Sequence, residues 1–452
     1  MPQRRTNEAR VSAHRQPEGH ALSAILALLT DAHAHRALQL TLIAALYSPI
    51  SWLCLTPVYG SVPSSIYHSQ GKTVAAMGGF LLRRHVKKFL PAEFLKWLPA
   101  FVFCIPTIHF VMFKYSSILG ASSGPLITEL ATFYPLVFFS LFAAGIHLDE
   151  IDFAWLGDTY APLAPVVVTF LAFITGENYG GGFLMRKIGS NLVLSRLGLQ
   201  LLTAGMFALA IPGSVLWPAL PSIALNVIHN SHNPMQRTTG VLNSTLGHYN
   251  FSLVDRQESI TGYISVLDNV AAGYRVMRCD HSLLGGEWKI AAERDTRIAE
   301  VHEPIYGIFA MLEAVRLAET GDGQPRRPDS ESTALNIGLG IGTAPGALIA
   351  HGINTTIVEL DPVVYKFARK YFNLPEKHMP IIGDAVHLVA DAQARNIATR
   401  YDYIIHDVFT GGAEPVELFT YEFLSGLNFL LKDDGMVAIV RCVLLSADTL
   451  LT

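Results

Sequence analysis

Charge is scarce in this chain. Of its 452 residues, 15% are Asp, Glu, Lys or Arg and 50% are hydrophobic, whereas soluble domains carry about a quarter charged residues. With a mean hydropathy of +0.34, the composition excludes an ordinary, wholly water-soluble protein and places part of the chain in lipid. Cysteine is rarer. The four present (Cys54, Cys104, Cys279, Cys442) include no C-x-x-C pair, which argues against a disulfide framework or a cysteine zinc site, and no metal is expected. No sign of charge dominates either: a formal net charge of −4 offers no electrostatic footprint for nucleic acid. The first twenty residues are polar and basic (Arg4, Arg5, Arg10, Arg15), unlike a cleavable signal peptide, so residues 1–36 are expected to form a polar tail.

What the chain has instead is five stretches without Asp, Glu, Lys or Arg, at 37–60, 97–113, 130–146, 159–175 and 197–228. An α-helix rises 1.5 Å per residue, so about twenty apolar residues cross a bilayer core. The middle three hold 17 residues each and the last 32, broken by Pro212, Gly213, Pro218 and Pro221. Residues 37–228 are therefore expected to be a multi-pass α-helical transmembrane region with the bilayer as partner. Arg186, Lys187 and Arg196 suggest a cytosolic loop, and the domain that follows is expected on that side. Glu129 stands at the edge of the third stretch, where an interfacial position is the expectation.

At residue 229 the composition turns polar. The segments 262–267 and 274–278 alternate and are β-rich, a hairpin signal, and residues 250–300 are expected to form a small β-domain. A Gly-, Pro- and Ser-rich linker at 320–333 precedes strands alternating with helices: strand 335–338, strand 355–360, helix to about 372, strand 379–383, helix 385–396, strand 402–408, helix 415–431 and strand 436–445. This alternation implies a doubly wound, mostly parallel α/β sheet of Rossmann type over 301–452.

Four strand ends in this region carry the functional signal. They are the glycine turn Gly338, Gly340 and Gly342; Glu359, followed by Asp361-Pro362; Gly383-Asp384; and Asp407. In an open parallel sheet, ligands bind outside the carboxyl ends of the strands. Glu359 lies roughly twenty residues after the glycines, the spacing at which a carboxylate meets ribose hydroxyls. Asp384 and Asp407 stand at the same strand ends, and the plainer readings beside a ligand role are a helix N-cap for Asp384 and a structural strand-end acid for Asp407.

Across roughly 255–440 these residues resemble the polyamine synthase family, the spermidine and spermine synthases (aminopropyltransferases). The turn at 280–286 is similar to that family's Leu-Asp-Gly turn, His302-Glu303 to part of its Tyr-His-Glu element, and Leu418-Phe419 with Phe423 to its Leu-Phe-x-x-x-Phe helix. The resemblance implies a methyltransferase-like Rossmann domain fused to membrane helices. The co-substrate would be decarboxylated S-adenosylmethionine or S-adenosylmethionine. Gly338, Gly340, Gly342, Glu359 and Asp384 would hold it, and Asp407 would orient or deprotonate a small-molecule nucleophile such as an amine.

Three departures weigh against ordinary polyamine synthesis. Ile341 stands where the family's glycine loop has aspartate, Thr410 where its catalytic loop has a second aspartate, and Thr261-Gly262 where a Tyr-Gln pair is expected. Burying an unpaired ammonium costs several kcal/mol, so the nucleoside pocket reads as kept and the polyamine pocket as dismantled. The family's sheet also continues past 440, and the ending at Thr452 reads as a truncated or misjoined gene model, with a partner covering the strand edge as the alternative. The expectation is a membrane-anchored transferase that alkylates an amine or other nucleophile, alone or as an oligomer. The alternative is a non-catalytic transporter or scaffold with a degenerate nucleoside-binding module.

Overall fold

A computed structural model describes residues 26–91, 93–233, 235–280, 282–289, 303–307, 311–318, 327–408 and 415–440. The chain divides into two compact units, one of residues 1–54 and 63–233, the other of 55–62 and 234–452.

The first unit is helical: α1 (Ala32–Tyr59), α2 (Ser61–Leu81), α3 (Leu98–Lys114), α4 (Ser116–Ala131), α5 (Phe133–Leu148), α6 (Ala164–Lys187), α7 (Arg196–Ala210) and α8 (Leu220–Ile228). Among the described residues, three stretches are long and apolar enough to cross a membrane: Ala32–Tyr59, Phe94–Lys114 and Ser116–Leu148. A fourth exists if Ala154–Tyr160 and Ala164–Lys187, bent by 92°, form one span. The uncharged run at 197–228 is two short helices, because Pro212 and Gly213, with Gly213 at φ 71°, interrupt it. Tyr47, Phe80, Phe133 and Phe207, each 0% exposed, anchor the helical core. Glu129 is not interfacial: it is 0% exposed, and the His68 ring within hydrogen-bond reach supplies a partner that makes its burial tolerable.

The second unit begins with α9 (Gln236–Gly247) and holds two sheets. Strands β1 (Phe251–Glu258), β2 (Tyr263–Asn269), β3 (Tyr274–Cys279) and β4 (Ser282–Trp288) form an antiparallel meander in sequence order. The second sheet alternates with helices: β5 (Thr333–Ile337), α10 (Thr343–Ala350), β6 (Asn354–Glu359), α11 (Pro362–Tyr371), β7 (His378–Ile382), α12 (Ala385–Ala394), β8 (Tyr401–His406), α13 (Tyr421–Leu430) and β9 (Leu431–Ile439). Its order is β7-β6-β5-β8-β9, and every pairing is parallel.

Both faces of the parallel sheet are covered, which is why its strands read as continuous apolar runs rather than alternating ones. Successive residues of β8 serve opposite cores. Tyr403 and Ile405 pack with Ala334 and Leu348, while Ile404 packs with Val389, Phe423 and Leu427. A further core joins the meander, through Ile264, Val266 and Met277, to Val363, Val364 and Phe367 of α11. The helix expected over 415–431 starts later, at Tyr421, because the Thr420 hydroxyl accepts from the Phe423 amide at 3.3 Å and caps it. The strand expected at 436–445 begins earlier, at Leu431, and its last residues lie outside the described set.

Phe367 is 0% exposed at the centre of the core shared with the meander. Phe367→Ala is expected to destabilise this unit by about 3–5 kcal/mol, read as a lowered denaturant midpoint.

Candidate active site

The order of the parallel sheet reverses direction between β5 and its neighbour β8, and a crevice opens beyond the strand ends at such a point. A cavity lies there. Gly338, Leu339 and Gly340 line it from the turn after β5, Glu359, Leu360 and Asp361 from the end of β6, Gly383 and Asp384 from the end of β7, and Asp407 and Val408 from the end of β8. The meander contributes Thr261, Cys279, Ser282, Leu283 and Leu284.

Two glycines of the turn are required by close approach. A Cβ on Gly338 (φ 84°) would sit 1.9 Å from the Asp407 carbonyl oxygen, and one on Gly340 (φ 55°) would sit 2.5 Å from the Leu284 carbonyl oxygen. Gly342 differs. It does not line the cavity but occupies the N-cap position of α10, since the chain has already turned away from the strand end.

Glu359 is the best-ordered acid of the set. Its Oε2 accepts from the Leu339 amide at 2.9 Å and its Oε1 from the Asp361 amide at 2.8 Å. A carboxylate offers about four lone pairs, so these bonds leave acceptor capacity for both hydroxyls of a ribose. Burial pushes its pKa up to about 7, against the pull of the backbone amides. Asp361 continues the network. Its Oδ1 accepts from the Val363 amide at 2.8 Å, capping α11, and from the Ser259 hydroxyl at 2.6 Å, while Oδ2 accepts from the Thr261 hydroxyl at 2.5 Å. Asp384 caps α12 through Oδ1, which accepts from the Val386 amide at 2.8 Å, and it also lines the cavity.

Asp407 sits at the other side of the crevice, where its amide donates to the Ile337 carbonyl at 2.9 Å. Burial pushes its carboxyl pKa up to about 6. An acid titrating there is ionised near neutrality and still basic enough to take a proton.

The departures from the polyamine pattern have structural causes. Ile341 is 7% exposed and belongs to the apolar core with Leu339 and Leu374; its side chain fills the space beside Gly285. Thr261 is engaged with Asp361. A Cβ on Gly262 would lie 2.0 Å from the Asp280 carboxylate, which accepts from the Tyr263 amide. Thr410 and His302 lie outside the described residues. Among the described residues, no group of three or more His, Cys, Asp or Glu is placed to hold a metal ion. The sequence reading missed the lining by Ser282 and Leu284, because it depends on the meander docking against the parallel sheet and no local pattern encodes that.

The spermine/spermidine synthase domain family matches residues 328–449. The chain is 48% identical over 401 residues to the N-terminal histidine N-methyltransferase of Emericella nidulans, a match covering 88% of this chain and 72% of that protein. It is 36% identical over 107 residues to the polyamine aminopropyltransferase of Vibrio vulnificus, covering 23% of this chain and 35% of that one. Among solved structures, a probable spermidine synthase from Corynebacterium glutamicum matches 41% of this chain and 62% of its own, at 16% identity and a TM-score of 0.31.

Glu359 titrating at about 7 gives a pH signature. The protonated carboxyl loses part of its acceptor capacity, so nucleoside affinity is expected to fall as pH drops below 7, by at most about tenfold for each unit. In the unliganded protein the sign is opposite: the raised folded value means that ionising Glu359 removes stability as pH rises from the ordinary carboxylate range towards 7. Glu359→Gln is expected to weaken binding of S-adenosylmethionine by about tenfold or more and to flatten the pH dependence, both read by isothermal titration from pH 5.5 to about 8.

Proposed function

This chain belongs to the family of the Emericella nidulans N-terminal histidine N-methyltransferase and is a transferase, and from that premise we propose that it methylates a ring nitrogen of a histidine at a protein's N-terminus, with S-adenosylmethionine as methyl donor. One observation carries this choice over aminopropyl transfer: Ile341 is packed into an apolar core at the position where the polyamine synthases present an aspartate. Aminopropyl transfer needs carboxylates to hold ammonium groups. Methyl transfer needs none there, and S-adenosylmethionine itself carries a carboxylate that an aspartate at this point would repel.

The residues fit the donor. Glu359 keeps free lone pairs for the ribose, Asp384 stands at the cavity wall for the purine, and the Gly338–Gly340 backbone leaves room for the methionine portion. When bound, the donor supplies a methyl group already activated by its sulfonium. The protein's part is positioning and proton management. A histidine ring has two nitrogens, and only an unprotonated one has a lone pair to attack. Asp407, ionised above about pH 6, would accept the N–H of one ring nitrogen, orient the ring, and hold the proton released as the other nitrogen is alkylated. The apolar helices of the first unit would seat this transferase on a lipid bilayer.

The experiment uses the full-length protein in detergent with S-adenosylmethionine and two peptides, one starting with histidine and one with the same sequence behind an added alanine. Mass spectrometry is expected to show one methyl group on the first and none on the second. Equal methylation of both, or turnover only of decarboxylated S-adenosylmethionine with putrescine, would overturn the proposal. Asp407→Asn is expected to leave donor affinity within about twofold while lowering kcat on the order of 100-fold. The unaltered enzyme should lose rate as pH falls through about 6.

A further inference from the structure

The helical unit contains a hydrogen-bonded chain of ionisable groups that an inert anchor does not need. Glu129 on α4, 0% exposed, accepts at Oε1 from His68 Nδ1 on α2 at 2.5 Å. The other ring nitrogen, Nε2, lies 2.8 Å from the Ser48 hydroxyl on α1. Ser48 lies in turn 2.5 Å from Glu177 Oε1 on α6, and Glu177 pairs with Lys72 on α2. Buried carboxylates in apolar helices cost several kcal/mol unless paired, and ionisable groups inside such bundles mark ion or proton routes.

Proton counting makes Ser48 the centre of this chain. Its hydroxyl has a single hydrogen but meets two partners. If Ser48 donates to an ionised Glu177, His68 Nε2–H must donate to Ser48, and the ring is an imidazolium paired with ionised Glu129 or, with its Nδ1 proton moved to Glu129, a neutral ring. If Ser48 donates to His68 Nε2, the ring is neutral and Glu177 must carry a proton that it donates to Ser48. The two arrangements have the same net charge. They interconvert when the Nε2 proton passes to the serine oxygen as the serine proton passes to Glu177, with no other bond made or broken.

We propose that Lys72, Glu177, Ser48, His68 and Glu129 form a proton-binding site in the helical unit, with Ser48 relaying a proton between Glu177 and the His68 ring. The ends are unequal. The Glu177 and Lys72 side chains are 17% and 21% exposed, whereas Glu129 is enclosed. Glu129 Oε2 meets no donor within hydrogen-bond geometry among the described residues, while the Tyr134 phenol lies close enough to interact with this carboxylate by hydrogen bonding and charge and the Ser51 hydroxyl lies 3.4 Å from Oε1. Glu129 is therefore the inner acceptor: the Nδ1 proton of a charged His68 ring passes to it and leaves both groups neutral. A chain open at one end stores and returns a proton rather than leaking it.

Infrared difference spectroscopy against pH, on the full-length protein in detergent micelles, tests the relay. The carboxylic-acid band lost in Glu177→Gln identifies Glu177, and the ring band lost in His68→Gln identifies His68. Groups that share a proton titrate as a pair, each step belonging to both, so both bands are expected to change together at the same midpoints. Ser48→Ala should separate the midpoints by about one pH unit or more, and Ser48→Thr, which restores a hydroxyl, should reunite them. If His68→Gln does not fold, the Glu177 band alone decides, through its shift in Ser48→Ala and its return in Ser48→Thr. Separate midpoints in the unaltered protein, a Ser48→Ala variant that behaves like it, or absence of the Glu177 band would overturn the relay.

Discussion

The transferase site rests on one carboxylate that holds two pieces of backbone at once. Glu359 accepts from the Leu339 amide in the glycine turn and from the Asp361 amide at the start of α11, so the turn after β5 and the helix after β6 are set against each other before any ligand arrives. Asp361 then passes the constraint to the meander through Ser259 and Thr261. Two acids two residues apart thus locate three walls of the cavity. Their burial is costly, and each offsets that cost by collecting amide and hydroxyl donors.

The same economy of charge underlies the proposed reaction. Carboxylates line the cavity at Glu359 and Asp407, where the proposal has a ribose and a proton held. Apolar packing has replaced one where an ammonium would be held, at Ile341. Among the described residues, Asp407 is the acid at the end of β8, which agrees with the proposed transfer to a heteroaromatic nitrogen, whose proton leaves from a different atom than the one alkylated. It does not suit a polyamine, whose charges need several counter-ions.

In the helical unit, polarity is likewise concentrated. Ser48, His68, Glu129, Glu177 and Lys72 come from four helices, and each alone would be an unfavourable group among apolar neighbours. Together they are charge-balanced. The sequence reading placed Glu129 at an interface because a lone acid at the edge of an uncharged stretch has no visible partner; His68, 61 residues earlier, is joined to it only by helix packing.

Local chemistry was enough to reveal much of the second unit. Apolar strands ending in glycine or a carboxylate, with Asp361-Pro362 and Asp384 as helix caps, foretold a parallel sheet and the crevice facing Glu359 and Asp407, because strand period and capping depend on neighbours in sequence. Helix length and the absence of charge likewise marked the apolar helices, and Pro212 and Gly213 marked the break of the last stretch into short pieces. What only the tertiary structure decided is which distant groups meet: Thr261 with Asp361, Ile341 with Gly285, His68 with Glu129. Those pairings arise from the docking of whole elements, where burial makes a contact favourable only after the chain has closed loops of tens of residues, and no stretch of sequence records its partner across such a loop.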